Sequence, residues 1–158
     1  MPTTPQIILA SDHAGFALKE SVKSFLESKG YSILDVGAHE LIPEDDFPIY
    51  MTAAAMKVAE DLKGNTKAII FGGSGQGEAM VANRFPGVRA VVWYGDTSRP
   101  SFDVIKLSRE HNDANVLSVG ARFVTEEQTK NAVELWLNTP FSEEEKYKRR
   151  NDQIDAIE

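Results

Sequence analysis

Residues 68–83 constrain this chain more than any other stretch. Four apolar residues, Ala68, Ile69, Ile70 and Phe71, run into a glycine-dense turn that gives way to a helical pattern. A buried parallel strand delivers a loop to its carboxyl end in this way, and open α/β sheets bind their ligands at such ends. Gly72, Gly73, Gly75 and Gly77 leave the backbone nearly free of Cβ atoms, so its N–H groups can converge on an anionic or electron-rich ligand. The positive end of the following helix would add to that attraction. Glu78 puts a carboxylate in the first turn, and Ser74 supplies the one hydroxyl of the loop. The pattern also suits a plain tight turn that lets a helix pack closely. Two nucleotide-binding alternatives fit less well: a dinucleotide fingerprint calls for glycine where Glu78 stands, and a triphosphate loop calls for Gly-Lys-Ser/Thr where this chain has Gly77-Glu78-Ala79.

The segments on either side repeat the strand-to-helix alternation. Residues 6–10 read as a buried strand that ends in the polar turn Ser11-Asp12-His13-Ala14-Gly15, with Ser11 or Asp12 expected to cap the next helix. That helix carries Leu18, Val22, Phe25 and Leu26 on one stripe and stops at Gly30. Residues 31–36, 88–93 and 116–119 are further strands, and residues 49–62 carry apolar residues at helical spacing. Thr125-Glu126-Glu127-Gln128 is a capping box that opens a helix through Leu137, and Ser142 is expected to cap a last helix over about residues 142–157. Between them, residues 94–103 form a polar segment suited to a lid or a substrate-sizing loop. The prediction is a three-layer α/β fold, Rossmann-like, with a five-stranded parallel sheet, the whole of residues 1–158 forming one domain.

Composition narrows the functions available. Net charge is −7, which disfavours nucleic-acid binding because a phosphate backbone needs a basic face. A small phosphorylated ligand is not excluded, since local arginines and backbone donors can hold it within an acidic surface. With no cysteine in the chain, thiolate catalysis and cysteine-ligated metal centres are ruled out. No apolar run approaches a membrane span, so a soluble cytoplasmic protein is expected.

Several spaced motifs carry a resemblance across nearly the whole chain, in one order. They are Ser11-Asp12-His13-Ala14-Gly15-Phe16, the loop from Gly72 to Glu78 with Ala82-Asn83, residues 108–116 including His111-Asn112-Asp113, Gly120-Ala121-Arg122, and residues 136–141. Together they resemble the ribose-5-phosphate isomerase B family, which also includes the subunits of galactose-6-phosphate isomerase. The resemblance implies aldose–ketose isomerisation of a sugar phosphate without metal or cofactor, in a homodimer, possibly assembled further to a tetramer, whose active sites are composite. One branch of that family uses a cysteine base at the position of Gly72; this chain looks like the other branch, with its base at Glu78.

The remaining roles follow from the same resemblance. Ser74 and the loop at Gly73, Gly75, Gln76 and Gly77 would hold the substrate and stabilise an enediolate. His111 would protonate the ring oxygen during ring opening, with Asp12 assisting and Asn112 holding a sugar oxygen. Arg122, Arg150, His13 and Lys146 would bind the phosphate. The family usually has arginine where Lys146 stands, and lysine keeps the charge but lacks the bidentate fork. Plainer roles for these residues are a turn cap for Asp12, a helix C-terminal contact for His111 and a solvated helix face for the basic run near Arg150. Isomerisation of another aldose phosphate of four to six carbons, a sugar-phosphate sensor without turnover, and a flavodoxin-like electron carrier are the competing functions.

Overall fold

The computed structural model describes residues 5–99 and 103–158. Five strands form one parallel sheet in the order β2-β1-β3-β5-β4: β1 (Gln6–Ser11), β2 (Ser32–Asp35), β3 (Lys67–Gly72), β4 (Ala90–Trp93) and β5 (Val116–Gly120). Alternate side chains leave opposite faces of each strand, and the core divides accordingly. Ile7, Leu9, Ile69, Phe71, Leu117 and Val119 pack with α1 (Phe16–Ser28), α4 (Val104–Glu110) and α5 (Glu126–Asn138). Ile8, Ala10, Ala68, Ile70 and Val116 pack with α2 (Phe47–Glu60) and α3 (Gln76–Ala82). Such near-continuous apolar runs are what a sheet covered on both faces requires. A last helix, α6 (Glu145–Asp155), follows α5. No helix among the described residues is long and apolar enough to cross a membrane.

Local chemistry explains most element ends. The amides of Gly30 and Tyr31 return to the carbonyls of Glu27 and Leu26 and close α1. The Thr125 capping box forms as expected, with the Gln128 amide and side chain answering Thr125 in both directions. Two caps differ from expectation. Asp12 Oδ1 accepts the Gly15 amide at 3.1 Å and so closes the turn after β1, while α1 begins one residue later with Gly15 as its uncapped flank. Ser142 stands outside α6, which starts at Glu145; its amide instead donates to the Glu110 carbonyl and ties the chain back to α4.

A fully buried lysine holds the β2 end against α1. Lys19 has 0% exposure, and its Nζ donates to both Asp35 oxygens at 2.8 Å and to the Ala38 carbonyl at 2.6 Å. Burial alone would raise the Asp35 carboxyl, yet Lys19, the Gly37 amide and Lys23 outweigh it and hold the group below its ordinary value of 3.8. Replacing Lys19 by Met is expected to destabilise the fold by about 3 kcal/mol in urea denaturation, because it removes the buried cation from the Asp35 carboxylate and leaves only Lys23 and the Gly37 amide on it, and Lys19→Met/Asp35→Leu to recover most of that loss. Since Asp35 is depressed in the fold, its contribution is complete above its ordinary value and disappears as acid titrates the folded carboxyl. The difference between wild type and the double variant is therefore expected to shrink below about pH 4.

Candidate active site

Three strands end together. Ser11 pairs with Phe71 and Gly72 with Gly120, so the chain leaves β1, β3 and β5 at one edge of the sheet. β1 has β2 on one side and β3 on the other, which makes the gap between the loops after β1 and β3 the switch point of the sheet. Asp12 and His13 follow β1, residues 73–78 follow β3, and Arg122 lies in the short 3₁₀ turn Ala121–Phe123 after β5.

The β3 loop is pinned from below. Gly75 adopts φ +79°, a left-handed conformation that favours glycine. Its carbonyl accepts the Ser118 hydroxyl at 2.7 Å, and the Arg122 amide donates to the Gly73 carbonyl at 3.1 Å. The Arg122 guanidinium itself lies over Gly73, where a side chain on that residue would come within 3.1 Å of Nη1. Ser74 Oγ accepts the Gln76 amide at 3.3 Å, Gln76 opens α3 on the exposed side, and the Phe47 ring packs on Gly77.

Glu78 turns inward. Only 4% of it is exposed, and its carboxylate fills the volume that a Cβ on Gly72 would take. Burial pushes its carboxyl above the ordinary value of 4.5, and the nearby charge of Asp12 adds to the rise. The backbone N–H groups of Glu78 itself and of Gly75, and then Arg122, act in the opposite direction. Burial prevails over these donors. A buried carboxylate with raised proton affinity, next to a second acid and a guanidinium, is suited to taking a proton from a carbon acid near neutral pH.

The loop before α2 supplies a group that sequence reading missed. Asp45 Oδ1 accepts from the His13 backbone N–H at 2.9 Å and lies 2.8 Å from His13 Nδ1. Burial opposes its ionisation, but the His13 amide, the His13 ring and the Tyr50 hydroxyl hold its carboxyl below the ordinary range. Asp12, His13 and Asp45 bring one ligand-type atom each within 4.8 Å of one another. Asp45 is 32 residues from His13, and no local pattern in the chain joins them.

His111, Asn112, Lys146 and Arg150 are not at this edge. His111 and Asn112 precede β5, and Val116 pairs with Ala68 at the entry of β3, four residues before the Gly72–Gly120 pair. At about 3.3 Å per residue, roughly 13 Å of strand separates the two levels. The His111 ring stacks on Tyr147 of α6 with centroids 4.1 Å apart, while Asn151 Nδ2 donates to the His111 carbonyl at 3.1 Å. Lys146 Nζ and the Arg150 guanidinium lie 4.9 and 5.9 Å from the same Tyr147 ring. Arg89 fastens the group by donating to the carbonyls of Asn112 and Asp113 and by pairing with Asp155. Buried Arg109 donates to the carbonyls of Thr139 and Ala114 and fixes the turn from inside.

An α/β domain with a buried carboxylate at its switch point, a guanidinium beside it and a cationic group set apart from it defines a candidate site for acid–base chemistry on a small anionic ligand. The comparisons agree with that class. The family described as Ribose/Galactose Isomerase matches residues 7–154. Ribose-5-phosphate isomerase B of Mycolicibacterium paratuberculosis is 36% identical over 97% of this chain and 91% of its own length. The Escherichia coli protein of the same name is 35% identical over 97% and 96%. Among solved structures, ribose-5-phosphate isomerase B from Mycoplasma genitalium with bound ribulose-5-phosphate superposes with a TM-score of 0.87 at 31% identity, covering 95% of this chain and 93% of that one. The type B enzyme of Trypanosoma brucei gives 0.86 at 30% identity, covering 99% and 100%. This chain belongs to the ribose/galactose isomerase family.

The seat of Glu78 can be tested directly. Carboxyl ¹³C titration of the native protein is expected to show Glu78 above 4.5, with activity falling on the acid side as that group protonates. Gly72→Ala, which takes the seat, is expected to return the Glu78 titration toward its ordinary value.

Proposed function

We propose that this protein interconverts ribose 5-phosphate and ribulose 5-phosphate through an enediolate, in sites completed by a second copy of the chain. The observation that carries this reading is the Glu78 carboxylate seated against Gly72, with Asp12 and Arg122 beside it. The names of the relatives and the ribulose-5-phosphate bound to the Mycoplasma genitalium enzyme support the substrate.

The chemistry moves one carbon-bound proton and one hydroxyl proton. Ionised Glu78 removes the C2 proton of the open-chain aldose and returns it to C1, while a proton moves from the C2 hydroxyl to the carbonyl oxygen at C1. Negative charge developing on the oxygens is met by Ser74 and the amides of Gly73, Gly75 and Gly77, which are fixed before reaction. Gln76, at the start of α3, borders the same loop and contacts the sugar. Ring opening comes first, with His111 as the acid at the ring oxygen, Asp12 at the anomeric hydroxyl and Asn112 on a neighbouring sugar oxygen. Arg122 and His13 hold the phosphate from one side, and Lys146 and Arg150 close over it from the other.

A single chain does not bring those two sets together, since they occupy opposite ends of the sheet. A two-fold partner would present its His111, Asn112, Lys146 and Arg150 to the Glu78 edge, and receive the same in return. His111 then travels with α6, on whose Tyr147 it stacks, rather than with the base of its own chain.

Glu78→Gln is expected to bind sugar phosphate and lose C2 proton exchange by roughly 10²–10⁴-fold, measured by deuterium incorporation. Mixing it with Arg150→Ala or His111→Ala, each nearly inactive alone, is expected to restore about a quarter of wild-type sites. Half of randomly paired dimers are mixed, and each of those has one intact site. No recovery after verified subunit exchange would put both sets in one chain's site. An exchange assay across four- to six-carbon aldose phosphates decides the substrate.

A further inference from the structure

We infer that Asp45 is a positioning residue for phosphate binding, acting through the His13 ring. The inference rests on the sugar-phosphate reading above and adds to it the group that decides which nitrogen of His13 faces the ligand.

Three observations lead there. Asp45 is anchored, with a side chain 6% exposed although the loop around it is largely open to solvent. Its carboxyl is held below the ordinary range by the His13 amide, the His13 ring and the Tyr50 hydroxyl against the opposing effect of burial, so it is an ionised acceptor at working pH. One oxygen, Oδ1, meets both the backbone N–H and the Nδ1 of His13, at 2.9 and 2.8 Å, which fixes the ring as well as the chain that carries it.

An acceptor with no proton of its own requires that Nδ1 carry one. The ring nitrogen left for a ligand is then Nε2. A phosphate oxygen arriving there meets an N–H only when the ring holds both protons, and the resulting cation lies between two anions, Asp45 and the phosphate. Without Asp45 the ring is free to rotate and to exchange tautomers, and the site must order it upon binding. Asp12, the other carboxylate of the cluster, is engaged with the Gly15 amide. The division of labour is thus Asp12 toward the sugar and Asp45 behind the histidine.

The test begins with the unaltered protein. Imidazole ¹⁵N shifts should show His13 protonated at Nδ1, alone or together with Nε2; a lone pair at Nδ1 overturns the inference. Asp45→Ala is then expected to let the neutral ring revert toward the Nε2–H form, to weaken inorganic phosphate binding by calorimetry about tenfold and to raise KM by a similar factor with kcat changed by less than about twofold. Asp45→Asn keeps an acceptor oxygen and is expected to fall between the two. In a His13→Ala background, Asp45→Ala should add little to either value. An equal rise in that background, or a loss of melting temperature and kcat with KM unchanged, would make Asp45 merely structural. Shifts and phosphate binding require no turnover, so they are separable from a failure of the isomerase reading, which would appear as absence of C2 proton exchange in the native protein.

Discussion

The placement of one carboxylate in the space left by a missing side chain governs the candidate site. Glu78 can turn inward because residue 72 has no Cβ, and the register of β1, β3 and β5 keeps that space at the sheet edge. The surroundings serve that placement. Ser118 holds Gly75, the Arg122 backbone holds Gly73, and Phe47 closes the far side of Gly77. A carboxylate is costly to desolvate, and here the cost appears as a raised proton affinity, which general-base chemistry exploits. Stability and reactivity are set by the same contact.

The layout of the sheet was legible because parallel strands covered on both faces read as near-continuous apolar runs, and the middles of β1, β3 and β5 do so, with Ser118 the one polar residue among residues 7–10, 68–71 and 116–119. The Thr125 box was legible because both halves of the motif lie within four residues. The cap assigned to Asp12 was only half right. A turn intervenes between β1 and α1, and Asp12 answers the amide of that turn, a distinction of one residue that hydrophobic spacing does not register. The roles of Asp45, Tyr50, Arg89 and Arg109 were not legible because, apart from the i,i+4 pair of Arg109 with Asp113, their partners are tertiary or are backbone carbonyls. An isolated arginine in a sequence does not reveal that it will be buried.

Chain order also divides the candidate site residues into two groups. Asp12, Glu78 and Arg122 come after strands, whereas His111 comes before one. In a parallel sheet every strand points the same way, so residues after strands gather at one edge and residues before strands at the other. Chain order alone therefore assigns His111 to the second group, with α6, whose Tyr147 stacks on it and whose Asp155 pairs with Arg89.

The Gly72 space also bears on how such a protein could exchange one reactive group for another. The resemblance points to a branch in which a thiol at residue 72 is the base. If a side chain were added there first, the Glu78 carboxylate would have to leave. If Glu78 were lost first, the chain would have a glycine and no base at all. Each ordering passes through an impaired form, so exchanging one reactive group for the other requires residues 72 and 78 to change together, a coupling set by the volume of a single Cβ.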